Sequence, residues 1–195
     1  MKQKLLSILF IITTAFISLL SVADEFDEAI YDINRGEFKA AIAKLEPLVV
    51  EGYSPAQYQM ALMYKDGNGV VKNIEKAFDL LSLSAAQHHP EAQFDLAAMY
   101  SEGEGVTKDL KKAFQLTEKA ANKDLASAQF NLGVMYYNGQ GVRKDYYKAS
   151  RFYKLAAQQN YALAQFNLAL MYFEGKGVEK STEMSFVWNI VAASN

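Results

Sequence analysis

Hydrophobic and polar positions recur along this chain with a fixed spacing. Four nine-residue segments, each beginning 36 residues after the last, read AQYQMALMY, AQFDLAAMY, AQFNLGVMY and AQFNLALMY. Alanine holds the first place, leucine or methionine the fifth, methionine the eighth and tyrosine the ninth. At about 100° per residue these places fall on one side of a helix. The pattern predicts that an amphipathic helix opens each of four repeats, with the methionines and tyrosines in the core.

A second helix is predicted in each repeat by the residues that follow. Two glycines separated by one residue come first, and glycine adopts the left-handed conformation that ends a helix at low steric cost. Residues of the N-cap type then recur in register, and they are Asn73, Asp109, Asp145 and Ser181. A phosphate-binding glycine loop would follow a strand instead. We therefore interpret the glycine pair as the turn of a helix hairpin.

The repeats organise nearly the whole chain. Full copies are predicted at about 56–91, 92–127, 128–163 and 164–195, and residues 24–53 form a looser copy that covers the first full repeat. Pro47 is expected to kink or shorten the second helix of that copy. Phenylalanines of the second helices, together with Trp188, are expected to fill gaps between hairpins, and these are Phe78, Phe114, Phe152 and Phe186. Because an isolated hairpin cannot bury both faces of its helices, stacking of copies should build one continuous core.

The N-terminus has the composition of a secretory signal peptide. Lys2 and Lys4 precede a mostly apolar stretch over residues 5–20, and Ser21-Val22-Ala23 supplies small residues at the cleavage positions. We predict a signal peptide over residues 1–23, cleaved after Ala23, and a periplasmic or secreted mature protein without a stable membrane anchor. An uncleaved anchor is the alternative, although about 24 Å of helix is short of the roughly 30 Å hydrocarbon core.

Charge and cysteine content exclude several classes of function. The chain has no cysteine, which excludes thiol catalysis, cysteine–zinc modules and disulfides. Removing Lys2 and Lys4 from the 20 basic residues leaves 18 against 22 acidic ones, so the mature chain is about −4. This balance argues against nucleic acid as a partner.

The stretch AQFNLGVMYYNGQGVRKDYYKA, residues 128–149, resembles the SEL-one-like repeat, a relative of the tetratricopeptide repeat. The resemblance covers nearly all of the mature chain, as in an exported bacterial member of that family. It implies an all-α fold, a right-handed superhelical α/α solenoid, and a role in binding other proteins. Cysteine-rich bacterial members are reported to bind or cleave β-lactams. This chain lacks their cysteines, so that activity is not carried over.

No catalytic, metal or cofactor site is predicted. His88 and His89 are the only histidines, and they come near the end of a second helix, where an imidazole would complement the helix dipole. Further metal ligands at a workable spacing are not visible in the sequence. The acidic residues recur with the repeat, which is typical of a solvated face.

A partner-binding groove is predicted at first-helix positions that differ between repeats. In tetratricopeptide-like solenoids the first helices line the concave surface. The fourth, seventh and eleventh places project away from the core side, and the tenth place adds aromatic residues near the C-terminal end. The seventh place holds Leu62, Ala98, Val134 and Leu170. We expect an amide and acid ladder, an apolar strip and an acidic edge that together bind a peptide. The candidate residues are Gln59, Asp95, Asn131, Asn167, Glu102, Asn138, Glu174, Tyr137 and Phe173. An alternative is that these positions are only solvated or pack on the next hairpin.

The C-terminal repeat carries a second candidate surface. Its second helix has an apolar flank without a polar capping helix behind it, formed by Met184, Phe186, Val187, Ile190 and Val191. Self-association through this end is the resulting hypothesis.

These observations favour a non-enzymatic scaffold or adaptor of the cell envelope that binds a protein or peptide through its concave first-helix surface. A cell-wall or β-lactam hydrolase, by family analogy alone, is one alternative. A secreted effector that engages host proteins is another, and it would use the same groove.

Overall fold

The computed structural model describes residues 22–194, which divide into two compact units on either side of the Leu80–Leu81 bond. Within this range all regular secondary structure is helical. The predicted signal peptide lies outside the described residues, except for Val22 and Ala23, which belong to the first helix.

The first unit begins with a hairpin of α1 (residues 22–34) and α2 (Phe38–Val50). It continues through α3 (Ser54–Asp66) into the first part of α4 (Ile74–Ala86). Its core contains Leu45, Leu48, Met60 and Met63, all at most 4% exposed. Lys44 Nζ lies 2.9 Å from Asp32 Oδ2 and ties α2 to α1. α2 has 13 residues, like α3, so Pro47 does not shorten the helix, and the alternative of a kink stays a prediction.

The second unit contains the end of α4 and three further hairpins. Each hairpin packs its two helices together, and the second helix of one packs against the first helix of the next. The helices are α5 (Pro90–Glu102), α6 (Leu110–Ala121), α7 (Ala126–Asn138), α8 (Tyr146–Gln158), α9 (Ala162–Glu174) and α10 (Thr182–Ala193). The predicted all-α fold of helix hairpins is confirmed.

The turn between the two helices of a repeat is built as the sequence indicates. In repeat three, Gly139 follows α7 in the left-handed conformation with φ 76°, and its N–H donates to the Met135 carbonyl. Asp145 then caps α8 by accepting from the Lys148 N–H at 2.9 Å, while its own N–H donates to the Tyr136 carbonyl. The same hydrogen bonds recur at Asp109 and Ser181, which confirms the predicted N-caps.

The alanine, leucine and methionine places of the first helices are buried, as predicted. The four methionines at the eighth place are at most 7% exposed. Of the tyrosines at the ninth place, Tyr136 is buried and the others are half-buried. A lysine twelve residues later covers the ring in three repeats, because the lysine Nζ lies 5.0 Å from the centroid in Lys76–Tyr64, Lys112–Tyr100 and Lys148–Tyr136.

Buried glutamines at the second place of the repeat join successive hairpins in the second unit. Gln93 Nε2 donates to the Ala85 carbonyl at 3.2 Å, and Gln165 Nε2 donates to the Ala157 carbonyl at 3.1 Å. Gln129 makes the weaker equivalent to Ala121 at 3.4 Å. Each bond occupies a carbonyl in the last turn of a second helix, where intrahelical donors run out. The constant glutamine therefore serves the stacking of repeats.

Candidate functional site

Two neighbouring cavities open along the first helices of the second unit. One has a volume of about 290 Å³ and lies among α5, α6 and α7. The other has a volume of about 240 Å³ and lies among α7, α8 and α9. Val134 on α7 lines both, so the cavities follow one another at the spacing of one repeat.

The first cavity is lined mainly by small and polar side chains. The predicted groove residues Asn131 and Glu102 both line it, and Lys108 and Gln140 from the adjoining turns line it too. Its apolar lining includes Ala98 and Val134, which hold corresponding places of two repeats. The lining thus combines an amide, both signs of charge and a narrow hydrocarbon strip.

The second cavity repeats this plan with different residues. The predicted residues Tyr137, Asn138 and Asn167 line it together, and Leu170 occupies the place that Val134 and Ala98 hold in the preceding repeats. Leu170 is 40% exposed. The apolar strip therefore grows from alanine to valine to leucine along the three first helices.

Tyr153 forms a wall of the second cavity that sequence reasoning missed. It occupies the place of Thr117, which lines the first cavity, and its side chain is 3% exposed. Burial raises the pKa of Tyr153 to about 12. The ring fits because α7 has Gly133 where the other first helices have alanine, and a Cβ there would lie 2.6 Å from a Tyr153 ring carbon. The departure of Gly133 from the alanine of the other repeats was the signal in the sequence, since the place of Tyr153 holds a different residue in every repeat.

Lys176 bonds to Tyr137, one of the residues that line the second cavity. Its Nζ donates to the Tyr137 hydroxyl at 3.0 Å and lies 2.9 Å from Glu174 Oε2. It also lies 5.4 Å and 5.7 Å from the ring centroids of Tyr137 and Tyr146. The hydrogen bonds with Glu174 and Tyr137 hold the pKa of Lys176 above its usual range. Lys176 and Glu174 form an ion pair, so the acidic edge expected from sequence is wrong at this point.

The residue between the two glycines of each turn is a further site position that the sequence interpretation passed over. Gln140 lines the first cavity and Lys176 bonds to a residue that lines the second. The same place holds Asn68 and Glu104 in the other repeats. A variable residue between invariant glycines was the available signal.

Five of the nine predicted groove residues line the two cavities, and four lie elsewhere. Gln59 is half-buried in the first unit. A cavity of about 410 Å³ in that unit is lined by Tyr64 and Lys76 among others, and Gln59 does not line it. Asp95 is half-buried on α5 outside both cavities. Phe173 is 55% exposed at the end of α9, and Glu174 pairs with Lys176 beside the second cavity.

His88 and His89 follow the C-terminal end of α4 and are not part of that helix. α4 ends at Ala86, and His88 follows in a left-handed turn with φ 67°. His89 instead caps the N-terminus of α5, where its Nδ1 accepts from the Ala92 N–H at 3.4 Å. Burial lowers the pKa of His89, although Glu91 opposes the shift. The predicted role at a helix C-terminus is therefore wrong for His89, because an acceptor nitrogen at an N-terminus must be unprotonated. His88 does lie at the end of α4, where its N–H donates to the Ala85 carbonyl.

Residues 22–194 lack the side-chain clusters of a metal site and the long apolar helices of a membrane span. Among these residues, histidines and carboxylates do not gather in groups of three or more that could hold a metal ion. Helices with the length and apolarity needed to cross a bilayer are also absent from this range.

Comparison with known proteins identifies the repeat. The Sel1 repeat model matches residues 54–89, 90–125, 126–161 and 162–194. The crystal structure of a Sel1 repeat protein from Oxalobacter formigenes superposes with a TM-score of 0.82 at 28% identity, covering 87% of this chain and 70% of that one. The protein c5321, a protective antigen of uropathogenic Escherichia coli strains with an SLR fold, gives 0.83 at 29% identity over 89% of this chain. This chain spans only 38% of the antigen's length. Comparison with curated proteins finds no match.

Proposed function

The chain belongs to the Sel1 repeat family, and from that premise we propose that it is a non-enzymatic scaffold of the cell envelope that binds a protein or peptide along α5, α7 and α9. Sel1 repeat proteins are generally protein-interaction scaffolds. The observation that carries the proposal is the pair of cavities at the spacing of one repeat, which are lined by residues that differ between repeats.

The chemistry of the lining fits a peptide. Asn131 and Asn167 hold the same place in consecutive repeats, and each amide both donates and accepts, as peptide groups require. Val134 and Leu170 offer hydrocarbon beside these amides. The cavity volumes of about 290 and 240 Å³ lie at the lower end of the roughly 300–1,000 Å³ range of small-molecule sites, a size that suits single side chains of a peptide.

The test is selection of peptides from a displayed random library on the purified chain, followed by affinity measurement on two variants. The double variant Asn131→Ala, Asn167→Ala is expected to bind the selected peptides roughly 10- to 100-fold more weakly, because each lost amide removes hydrogen bonds of about 0.5–1.5 kcal/mol. Alanine preserves the helices.

The matched control is Gln115→Ala, Gln158→Ala, which removes two exposed amides from the second helices α6 and α8. Its affinity should stay within about twofold of the wild type. Equal binding by both double variants would contradict the groove. Turnover of β-lactam or cell-wall substrates by the pure chain would contradict the non-enzymatic part of the proposal.

Export to the envelope is a separate part of the proposal and rests on the sequence of residues 1–23. N-terminal sequencing of the protein recovered from its native host is expected to begin at Asp24, because Ala23 and Ser21 are the small residues that signal peptidase selects. A chain that retains Met1 would contradict cleavage.

A further inference from the structure

The last first-helix, α9, exposes a row of large apolar side chains. The row consists of Leu163, Phe166, Leu170 and Phe173. These residues are three or four positions apart, and their side chains are 40–59% exposed. One repeat earlier, Phe130 holds the place of Phe166. The Phe130 ring lies 5.7 Å from the ring of Tyr153, which is on α8, and 5.2 Å from the ring of Tyr161, which is the N-cap residue of α9. The row on α9 therefore includes a place, that of Phe166, which the preceding repeat covers with two aromatic rings and which α9 leaves 54% exposed.

The outer face of α10 is apolar where the corresponding faces of inner second helices are polar. Met184, Val187 and Ile190 are 37%, 45% and 54% exposed. On α8 these places hold three exposed basic residues, Lys148, Arg151 and Lys154. On α6 they hold three polar residues, Lys112, Gln115 and Glu118. These places thus face solvent even where hairpins pack on both sides. A further hairpin in the same stack would leave them uncovered.

Met184 also replaces a residue that the inner repeats use. Lys112 and Lys148 lie over the rings of Tyr100 and Tyr136, and the corresponding ring in the last repeat belongs to Tyr172. The substitution gives up a cation–π contact within the repeat and gains an exposed apolar side chain. Intrinsic stability of the repeat does not explain that exchange, whereas burial against another molecule does.

We propose that the exposed apolar residues of α9 and the outer face of α10, including Phe186, form an end surface that docks against the same surface of a second copy of this chain. With each large side chain offering on the order of 150–250 Å² when fully exposed, the eight residues supply about 800 Å² per copy. That is roughly the area that one partner buries in a standard interface. The end surface overlaps the second cavity at Leu170, so a second copy docked there would cover the α9 end of the proposed peptide groove.

Charge favours a second copy over other occupants. α9 and α10 carry one acidic residue each, Glu174 and Glu183, and no basic residue. An anionic membrane surface would call for lysine or arginine beside the apolar face. The exposed residues Asp24, Asp27 and Glu28 make α1 acidic, and a single large exposed side chain of α1, Tyr31, offers little apolar area for a head-to-tail contact. Pairing of like with like around a two-fold axis sets hydrocarbon against hydrocarbon.

Sedimentation velocity over a concentration series tests the proposal. The full chain is expected to be dimeric at micromolar concentration, and Val187→Arg, Ile190→Lys, which restores the charges that α8 carries, is expected to be monomeric with unchanged circular dichroism. The control Val50→Lys, Val71→Lys adds two charges at exposed apolar sites of the first unit and should remain dimeric. A wild-type chain that stays monomeric, or a charged variant that still dimerises, overturns the proposal.

Single cysteines test the symmetry, since the native chain has none. Placed in turn at Met184, Val187 and Ile190, at least one should give a disulfide-linked dimer under mild oxidation, because an isologous contact brings residues near the axis close to their own copies. Oligomers that lengthen with concentration, or dimers without any crosslink, overturn the two-fold arrangement. A monomer that binds a different protein through this surface overturns the choice of occupant.

Discussion

Gly141→Ala is expected to lower the free energy of unfolding by roughly 2–5 kcal/mol, whereas Gly139→Ala in the same turn should lower it by about 1–2 kcal/mol. Both glycines are left-handed, with φ 71° and 76°, so both substitutions strain the backbone equally. The difference comes from the surroundings. A Cβ on Gly139 would come no closer than 3.4 Å to the Lys144 nitrogen.

A Cβ on Gly141 would overlap the Leu110 carbonyl oxygen and lie 2.7 Å from the Leu110 carbonyl carbon. Leu110 begins α6, the second helix of the preceding hairpin. Since the contact is with backbone, no side-chain rotation relieves it, and the two hairpins must separate. Gly139 ends a helix, while Gly141 sets how closely successive repeats approach.

Urea unfolding followed by circular dichroism measures both losses. Hydrogen exchange shows which part of the protein loses stability. In Gly141→Ala the loss of amide protection should concentrate in α6, α7 and the turn between α7 and α8. Equal losses for the two variants would contradict the close approach.

The pair formed by Gly133 and Tyr153 gives the second large effect. Gly133→Ala is expected to destabilise the protein by roughly 1–3 kcal/mol, although alanine normally stabilises a helix by up to about 1 kcal/mol relative to glycine. The added Cβ would lie 2.6 Å and 2.7 Å from two Tyr153 ring carbons. Tyr153→Thr alone should cost roughly 3 kcal/mol, because a buried ring is lost.

The double variant Gly133→Ala, Tyr153→Thr recreates the pair Ala97 and Thr117 of the preceding repeat. It should therefore lose at least about 1 kcal/mol less than the sum of the two single changes. A double-mutant cycle in urea measures this coupling. Additive losses would show that the two side chains are independent, and peptide selection on the double variant reports how far Tyr153 shapes the second cavity.

The fold was predictable from sequence because its determinants are local. The glycines that end each first helix and the caps Asp109 and Asp145 act within a few residues of their position in the chain, and the period of 36 residues repeats these local signals. The same local rules failed at His89, because α4 ends at Ala86 and the next helix recruits the imidazole as its cap.

The candidate site was less predictable because pairs that are distant in sequence form it. Tyr153 enters the cavity wall only because Gly133, on another helix, leaves room for its ring. Lys176 reaches Tyr137 from 39 residues away. Periodicity identifies which first-helix places face the groove, and it gives no information on which side chains from the next hairpin meet them. Phe186 illustrates the same limit, because it was expected to fill a gap and is 67% exposed.

In the turn of each repeat, different residues determine the packing of the repeats and the chemistry that is offered to a ligand. The glycines fix the backbone, and the residue between them varies: Gln140 lines the first cavity, and Lys176 in the next repeat bonds to Tyr137, which lines the second. Exchanging that residue leaves both glycines in place. New binding preferences can therefore be introduced one repeat at a time, by evolution or by an engineer, with little risk to the scaffold that displays them.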